Sequence, residues 1–508
     1  MLSRIATVGG LTLLSRITGF LRDIMLAAIL GAGPVADAFF IALRLPNHFR
    51  AIFAEGAFNA AFVPAYARIR GERGAHPARL FADRVFTMLF AVEAVLLAIA
   101  LAFTPAVISL LAPGFNADPQ RFALAVALTR VTFPYLVLVT LVTFYGGILN
   151  ALARFASPAA APILLNLSMM AALAFAAYFP TAGHAAAWGV FIAGCLEAAL
   201  VAADLGRNEG LPKFRALRLD DDVRRFFRAL GPATLGSAGS QIALFADTII
   251  ASFLAAGAVS ALYYADRLNQ LPIGVIGIAV GTVLLPEMAS RIATGDEDGA
   301  RQAQRRAIEL TLALSIPCVA AFGIVPRLIM EALFSRGAFT EADAAAAGAT
   351  LAAYAIGLLP FVLLRAVSSS FLARGDTATP VKALLVSVVI NVALKLVLMG
   401  PYAQVGLALA TSAGVWVNFL LLTAFAWRAK LLRPDQRLRA TVRKLALAGL
   451  ALAATLIVAA DPVMRLCESS GPLRFGAALM VLGILGGTVY GGAIALLFGP
   501  QWLRNRPG

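Results

Sequence analysis

The sequence predicts an all-α polytopic membrane protein of about fourteen transmembrane helices, built as two pseudo-symmetric six-helix halves with two further helices at the C-terminal end. Three observations predict it. Apolar residues fill 60% of the 508 positions and charged residues only 14%, against about 45–50% and 25% in a soluble domain. Apolar stretches of about 18 residues or more recur along the whole chain, and in hydrocarbon each must be a helix, because every backbone N–H and C=O needs an internal partner. Basic residues, finally, collect in alternate loops.

Taken in order, the apolar blocks fall near 5–30, 35–66, 82–112, 122–150, 158–180, 184–204, 227–255, 259–290, 303–333, 344–373, 380–399, 403–428, 442–463 and 474–499. Pro46 in the second and Pro272 in the eighth predict kinked or interrupted helices beside a cavity. Loops after even-numbered spans carry most of the basic residues, among them Arg68, Arg70, Arg73, Arg79, Arg154, Lys213, Arg215, Arg218, Arg291, Arg305 and Arg374. Loops after odd-numbered spans carry few, chiefly Arg121, Arg327, Arg336, Arg465 and Arg474. Even-numbered loops and both termini are therefore expected in the cytoplasm. An internal echo, "FVPAYARI" (62–69) against "LLPEMASRI" (284–292) and "ALARFASP" (151–158) against "FLARGDTATP" (371–380), recurs at an offset of about 220 residues and suggests paired halves. The expected organisation is an N-terminal lobe over 1–204, a cytoplasmic amphipathic linker over 205–228, a second lobe over 229–430, and two additional helices and a tail over 431–508. In the linker Phe214, Leu217, Phe226 and Phe227 alternate with basic residues, a pattern suited to the anionic inner leaflet.

Several function classes lack support. The net charge of +15 is accounted for by short inter-helix loops, so nucleic acid is not an expected partner. Cys195, Cys318 and Cys467 lie in separate apolar runs, and His48, His76 and His184 are scattered, so neither a disulfide framework nor a metal site is expected. Arg4 before an apolar stretch resembles a signal peptide, but Arg16, Arg22 and Asp23 interrupt the stretch and argue against cleavage. Gly31-Ala32-Gly33-Pro34-Val35-Ala36 fits a GxGxxA fingerprint yet follows no strand, and reads as a tight external loop. No GxxxxGK[ST], HExxH or GxSxG element accompanies it, so neither ATP hydrolysis nor the common hydrolytic chemistries are expected.

Ionisable residues inside spans cost at least about 2.5–3.5 kcal/mol each, so they face a cavity or a partner. The first two spans concentrate them: Arg16, Arg22, Asp23, Asp37, Arg44, Arg50 and Glu55. At about 100° per residue, Asp37, Arg44 and Glu55 share one stripe, and Arg16 and Asp23 another. In the eighth span Asp266 and Arg267 precede Pro272. Arginines converging from both halves suit a diphosphate, because guanidinium binds phosphate oxygens bidentately and keeps its proton. The alternative is structural, with arginines snorkelling at helix ends or paired to these acids. Asp247, Glu287, Arg365 and Lys395 also lie in apolar runs, and their roles stay open between the two readings.

The segment "SRITGFLRDIMLAAILGAGPVADAFFIALRLPNHFRAIFAEGAFNAAFVP" (15–64) closely resembles the MurJ (MviN) family of the multidrug/oligosaccharidyl-lipid/polysaccharide exporter superfamily. The motifs "TFPY" (132–135), "ILNALARF" (148–155), "APILLN" (161–166), "SFLAAG" (252–257) and "YYADRL" (263–268) spread the resemblance over most of the chain. It implies a fourteen-helix flippase of the bacterial inner membrane, without catalytic chemistry or cofactor, that moves the peptidoglycan precursor lipid II by alternating access through a cationic cavity. It implies Arg16, Arg22, Arg50, Arg267 and Arg44 as substrate-binding residues, with Asp23, Asp37, Glu55 and Asp266 as gating or orienting acids. Expected partners are lipid II, membrane lipids and cell-wall synthesis proteins, and coupling to the membrane potential or a monovalent ion is left open. Arg44 stands where the resemblance leads one to expect a lysine, and keeps the charge. Gln270 stands where an acid is expected, which puts a carboxylate role there in doubt. Two other readings remain: an exporter of drugs or another polyprenyl-linked glycan, disfavoured by the arginines, and a membrane enzyme on polyprenyl diphosphates, for which no positioned nucleophile or metal site is visible.

Overall fold

The computed structural model describes residues 2–53, 57–432 and 435–499. Among these the chain is helical throughout its regular structure, with no strand. Ten helices lie up to residue 252: α1 (Leu2–Leu30), α2 (Pro34–Phe53), α3 (Ala57–Arg73), α4 (Ala75–Ala102), α5 (Thr104–Leu111), α6 (Pro119–Thr132), α7 (Pro134–Ala151), α8 (Ala156–Ala174), α9 (Ala182–Asn208) and α10 (Asp221–Ser252). Eight follow: α11 (Ala258–Pro272), α12 (Ile278–Ala293), α13 (Glu297–Ile324), α14 (Pro326–Phe334), α15 (Glu341–Leu372), α16 (Ala378–Arg428), α17 (Gln436–Cys467) and α18 (Arg474–Phe498). Nine helical stretches among the described residues are long and apolar enough to cross a membrane.

Helix starts follow local chemistry. Asp118, Thr181, Asp220, Asp296, Thr340 and Asp435 each accept a hydrogen bond from a backbone N–H in the first turn of the helix that follows, and Thr340 with Asp343 closes a reciprocal capping box. Breaks follow proline. The second span expected as one kinked helix is divided between α2, with Pro46 inside it, and α3, with residues 54–56 outside the described residues. Pro272 ends α11 in a π-helical turn, Ile273–Gly277, before α12, because proline offers no N–H to the regular ladder. At about 1.5 Å per residue, the 51 residues of α16 would run far past a hydrocarbon core of about 30 Å. They double back instead at Pro401 and Ala403, the latter at φ 47° and ψ −128°.

By contacts the chain forms two compact units, Met1–Ser260 with Arg336–Phe339, and Ala261–Ser335 with Thr340–Gly508. In the first, α8 and α9 lie so close that a Cβ on Gly189 would stand 2.9 Å from the Met169 Cα. Small residues are what allow such approach where lipid and side chain are equally apolar. An aromatic cluster ties α3, α4, α7 and α10 together: Phe62 lies 5.0 Å from Phe58, 5.0 Å from Phe144 and 5.7 Å from Phe81 between ring centroids, and Phe226 meets it edge-on at 6.1 Å. In the second unit Ser412 donates to the Ala353 carbonyl (2.7 Å) and Trp416 Nε1 to the Ile356 carbonyl (2.9 Å), fastening α16 to α15.

Of the 205–228 stretch, α9 takes the beginning and α10 the end, and 210–220 is non-helical. This segment is pinned along α4. Asp83 Oδ1 accepts from the Lys213 amide (2.9 Å), Asp83 Oδ2 lies 3.4 Å from Arg215 Nε, and Thr87 Oγ1 accepts from the Arg215 amide (3.0 Å). Glu209 anchors its start, accepting from Arg70 (2.5 Å) and Arg79 (3.2 Å), and Arg84 pairs with Asp220 at its end. Burial pushes the Glu209 carboxyl up, but the hydrogen bonds and charges of the two guanidinium groups together outweigh it and hold the group below its ordinary value.

Two outcomes follow from this packing. Phe62→Ala should cost about 3–5 kcal/mol in reversible denaturant unfolding in detergent, whereas Phe175→Ala, at a ring that is 60% exposed, should stay within about 0.5 kcal/mol. A carboxyl whose folded pKa is depressed stabilises at pH above its unfolded value, and that stability is lost as pH falls through the folded value. The unfolding difference between the wild-type chain and Glu209→Gln should therefore be full at neutral pH and vanish on acidification; a difference independent of pH would refute the ion-pair account.

Candidate substrate-binding charge cluster

In the first unit α1 packs against α8, and the contact is built on one arginine. Arg22, 8% exposed, donates from Nη2 (2.7 Å) and Nε (3.1 Å) to Oδ1 of the adjacent Asp23. Its Nη1 donates to Asn166 Oδ1 on α8 at 2.9 Å. The Asn166 amide group in turn donates to the Ser15 carbonyl (3.0 Å) and to Thr18 Oγ1 (3.1 Å), so Asn166 is oriented from both ends. Gly19 leaves room for it, since a Cβ there would sit 3.4 Å from Asn166 Nδ2. A guanidinium is thus fixed within an apolar helix pair with a carboxylate beside it. An anionic oxygen could be received there by a charge that cannot be lost, and Asp23 sets the background it must compete with.

Asp37 has a different environment. It is wholly buried on α2, and its carboxylate accepts from the Gly257 amide (2.7 Å), the Ser260 amide (2.8 Å) and the Ser260 hydroxyl (2.6 Å). Arg121 Nη1 lies 3.5 Å from the same carboxylate, and its Nη2 donates to the carbonyls of Ser252 and Leu254 at 3.2 Å. The guanidinium also lies 4.1 Å from the Phe115 ring centroid. Asp37 therefore closes the turn between α10 and α11, taking amide donors at the start of α11 as a capping side chain does. Gly257, at φ 91°, meets the Ala32 carbonyl so closely that a Cβ there would stand 2.9 Å from it.

Arg44 is half-buried on α2 and Arg16 is exposed on α1. Arg50 belongs to α2 by backbone, but its side chain lies outside the described residues, as does Glu55 altogether. In the second unit the Arg267 guanidinium stacks over the Tyr263 ring at 4.7 Å, and Gln270 donates to Asp266 at 2.5 Å. Gln270 therefore serves as a donor to the carboxylate one turn away. Glu287 accepts from Arg291 at 3.0 Å, a pairing at one end of α12, and Lys395 is buried in α16. Arg365 is exposed on α15, with its methylene stem about 4.0 Å from where Cβ atoms on Gly277 and Gly281 would lie, so it runs over the π-helical turn. Among the described residues no group of three or more His, Cys, Asp or Glu is placed to hold a metal ion.

Three participants escape a reading of charge alone. Asn166 and Ser260 are uncharged, and their only signal is a polar residue inside an apolar run. Arg121 reads as a loop cation in the sequence, yet it is 5% exposed.

Known proteins resemble this chain over most of its length. The family model described as "Lipid II flippase MurJ" matches residues 26–467. A Rhizobium meliloti protein named "Probable lipid II flippase MurJ" is 42% identical over 492 residues, covering 96% of this chain and 91% of its own. "Lipid II flippase MurJ" of Burkholderia cenocepacia is 35% identical over 422 residues, covering 82% of each. Among solved structures, "Lipid II flippase MurJ, inward closed conformation" shares the fold at a TM-score of 0.79 and 23% identity, covering 97% of this chain and 98% of that one. An inward-facing multidrug resistance MATE transporter of the MOP superfamily follows at 0.67 and 15% identity, over 84% and 96%. The match over most of the chain, with relatives well above 30% identity, shows that this polytopic membrane protein belongs to the MurJ lipid II flippase family, a family of transporters rather than enzymes.

Proposed function

We propose that the protein carries lipid II from the cytoplasmic to the periplasmic leaflet of the inner membrane by alternating access. The observation that carries this reading is Arg22, a buried guanidinium between Asp23 and Asn166 in a chain whose relatives bear the name of lipid II flippases. The head group of lipid II is joined to its polyprenyl tail through a diphosphate, and an arginine fork matches that chemistry. Arg16, Arg44, Arg50 and Arg267 are the further cations of this proposal, with Asp23, Asp37, Glu55 and Asp266 as orienting or gating acids. The proposed topology has fourteen spans, in lobes over 1–204 and 229–430 with two helices over 431–508, and cytoplasmic termini. The non-helical 210–220 segment then lies against the anionic inner leaflet, with Leu211, Phe214, Leu217 and Leu219 exposed among Lys213, Arg215 and Arg218.

Lipid II movement by the purified chain in proteoliposomes tests the assignment. A charge-assisted contact contributes about 1.5–3 kcal/mol, so Arg22→Ala should reduce flipping roughly 10- to 100-fold at unchanged protein level, and Arg22→Lys should restore part of it. Full activity of Arg22→Ala would overturn the role of this residue.

The proposed energy source is the membrane potential. Two uncompensated negative charges moving outward gain about 2.3 kcal/mol each per 100 mV; if the arginines travel with the head group, the potential acts instead on return of the empty cationic site. Flipping should stop when an ionophore collapses the potential while the pH gradient is kept. Undiminished flipping under that treatment would exclude the potential as driver.

A further inference from the structure

Glu93 stands on α4 ten residues beyond Asp83, hence about 15 Å further along the helix, with Phe86 and Phe90 between it and the Phe214 ring of the 210–220 segment. It is 2% exposed. Its surroundings are Phe86, Leu89, Phe90 and, from α7, Val137, Leu141 and Phe144, around a small internal gap. The sole polar neighbour in that wall is Thr140, whose hydroxyl lies 3.5 Å from Glu93 Oε1, the outer limit of a hydrogen bond. Oε2 has no hydrogen-bond partner among the described residues.

Among the described residues no cation compensates it from the packed neighbours. On α7 the titratable groups are Tyr135, whose hydroxyl points to Glu197, and Tyr145, whose ring stacks on Phe86. α5 carries none. On α3, Arg70 is engaged by Glu209, while Arg68 pairs with Glu72 and Arg73 with Asp222. The described titratable groups of α10 are Asp221, Asp222, Arg224, Arg225 and Arg228 in its first turns and Asp247 near its other end. The Arg215 guanidinium is held at Asp83, where the Lys213 backbone amide is bound as well. An ionised carboxylate in this wall would lose its hydration with only one long hydrogen bond, donated by the Thr140 hydroxyl at 3.5 Å, in exchange, whereas the neutral acid gives up far less on leaving water.

We propose that Glu93 is a proton-binding site, a neutral carboxylic acid held inside the membrane-embedded wall of the first unit and open to modification by lipid-soluble carbodiimides. The proposal goes beyond the transport reading and stands independently of it. The chemistry balances without another reactant. The carboxylic O–H adds across one C=N bond of the carbodiimide to give an O-acylisourea, which rearranges to a stable N-acylurea with all atoms of both partners retained.

The full-length chain in detergent is treated with dicyclohexylcarbodiimide, and in parallel with a charged, water-soluble carbodiimide, and mapped by peptide mass spectrometry. The expected result is an adduct on Glu93 from the lipid-soluble reagent alone, weakening as pH rises and lost in Glu93→Gln. Unfolding of the two chains across pH supplies a second readout. The folded chain holds a proton that the unfolded chain would release to water, so wild-type stability should fall relative to Glu93→Gln as pH rises. Absence of the adduct in folded protein, labelling that strengthens with pH, or parallel pH profiles for the two chains would each overturn the proposal.

Discussion

Hydrocarbon supplies no partner to an amide, a hydroxyl or a charge, and the arrangement of this chain depends on meeting that condition at every level. Backbones meet it as helices. Hydroxyls meet it by turning back on their own helix, as Thr104, Thr143, Thr311 and Ser315 do toward carbonyls four residues earlier. Charges meet it by pairing, and the way each is paired separates structural from functional chemistry. Asp37 is satisfied from several sides by donors the fold itself presents, two of them backbone amides, so the orienting role proposed for its carboxylate is exercised through the α10–α11 turn. Arg22 meets the Asp23 carboxylate and the Asn166 amide oxygen, side-chain partners that a phosphate can compete with.

The same condition explains what was legible in the sequence. Runs of apolar residues mark helices in lipid because no other conformation is open to them, and the gap between 399 and 403 coincides with the observed reversal at Pro401 and Ala403. The concentration of charges on α1 and α2 was legible for a similar reason, since each charge has a cost that the surroundings must offset. What the sequence withholds is the identity of the partner. Nothing in the spacing of Arg22 points to Asn166, 144 positions away, and nothing in Asp37 points to Ser260. Arg121 looked like an ordinary loop cation because burial is decided by packing between helices, which composition does not report. Arg50 and Glu55, prominent in the sequence, lie outside the described side chains, so their standing rests on the charge pattern and the resemblance.

Prolines and small residues show how geometry is drawn from a uniformly apolar alphabet. Lipid and side chain offer similar contacts, so helices gain by approaching closely where a side chain is missing, as at Gly189 beneath Met169. Prolines act in the opposite sense, opening the ladder at the α6–α7 and α13–α14 junctions and at the π-helical turn after Pro272. Large aromatic rings are then collected where α3, α4, α7 and α10 converge, beside the 210–220 segment whose Phe214 ring lies 5.1 Å from Phe86.

The reversal within α16 has a consequence for biosynthesis. Between Lys382 and Arg428 the only charge is Lys395, and the turn itself exposes little more polarity than Tyr402 and Gln404. A Cβ on Gly406 would collide with the Leu398 carbonyl, so the two arms are in contact from the turn onward. A nascent chain of this kind has no hydrophilic loop to thread through a translocation channel. The two arms can therefore enter the bilayer together as one hairpin, with no hydrated loop between them to desolvate.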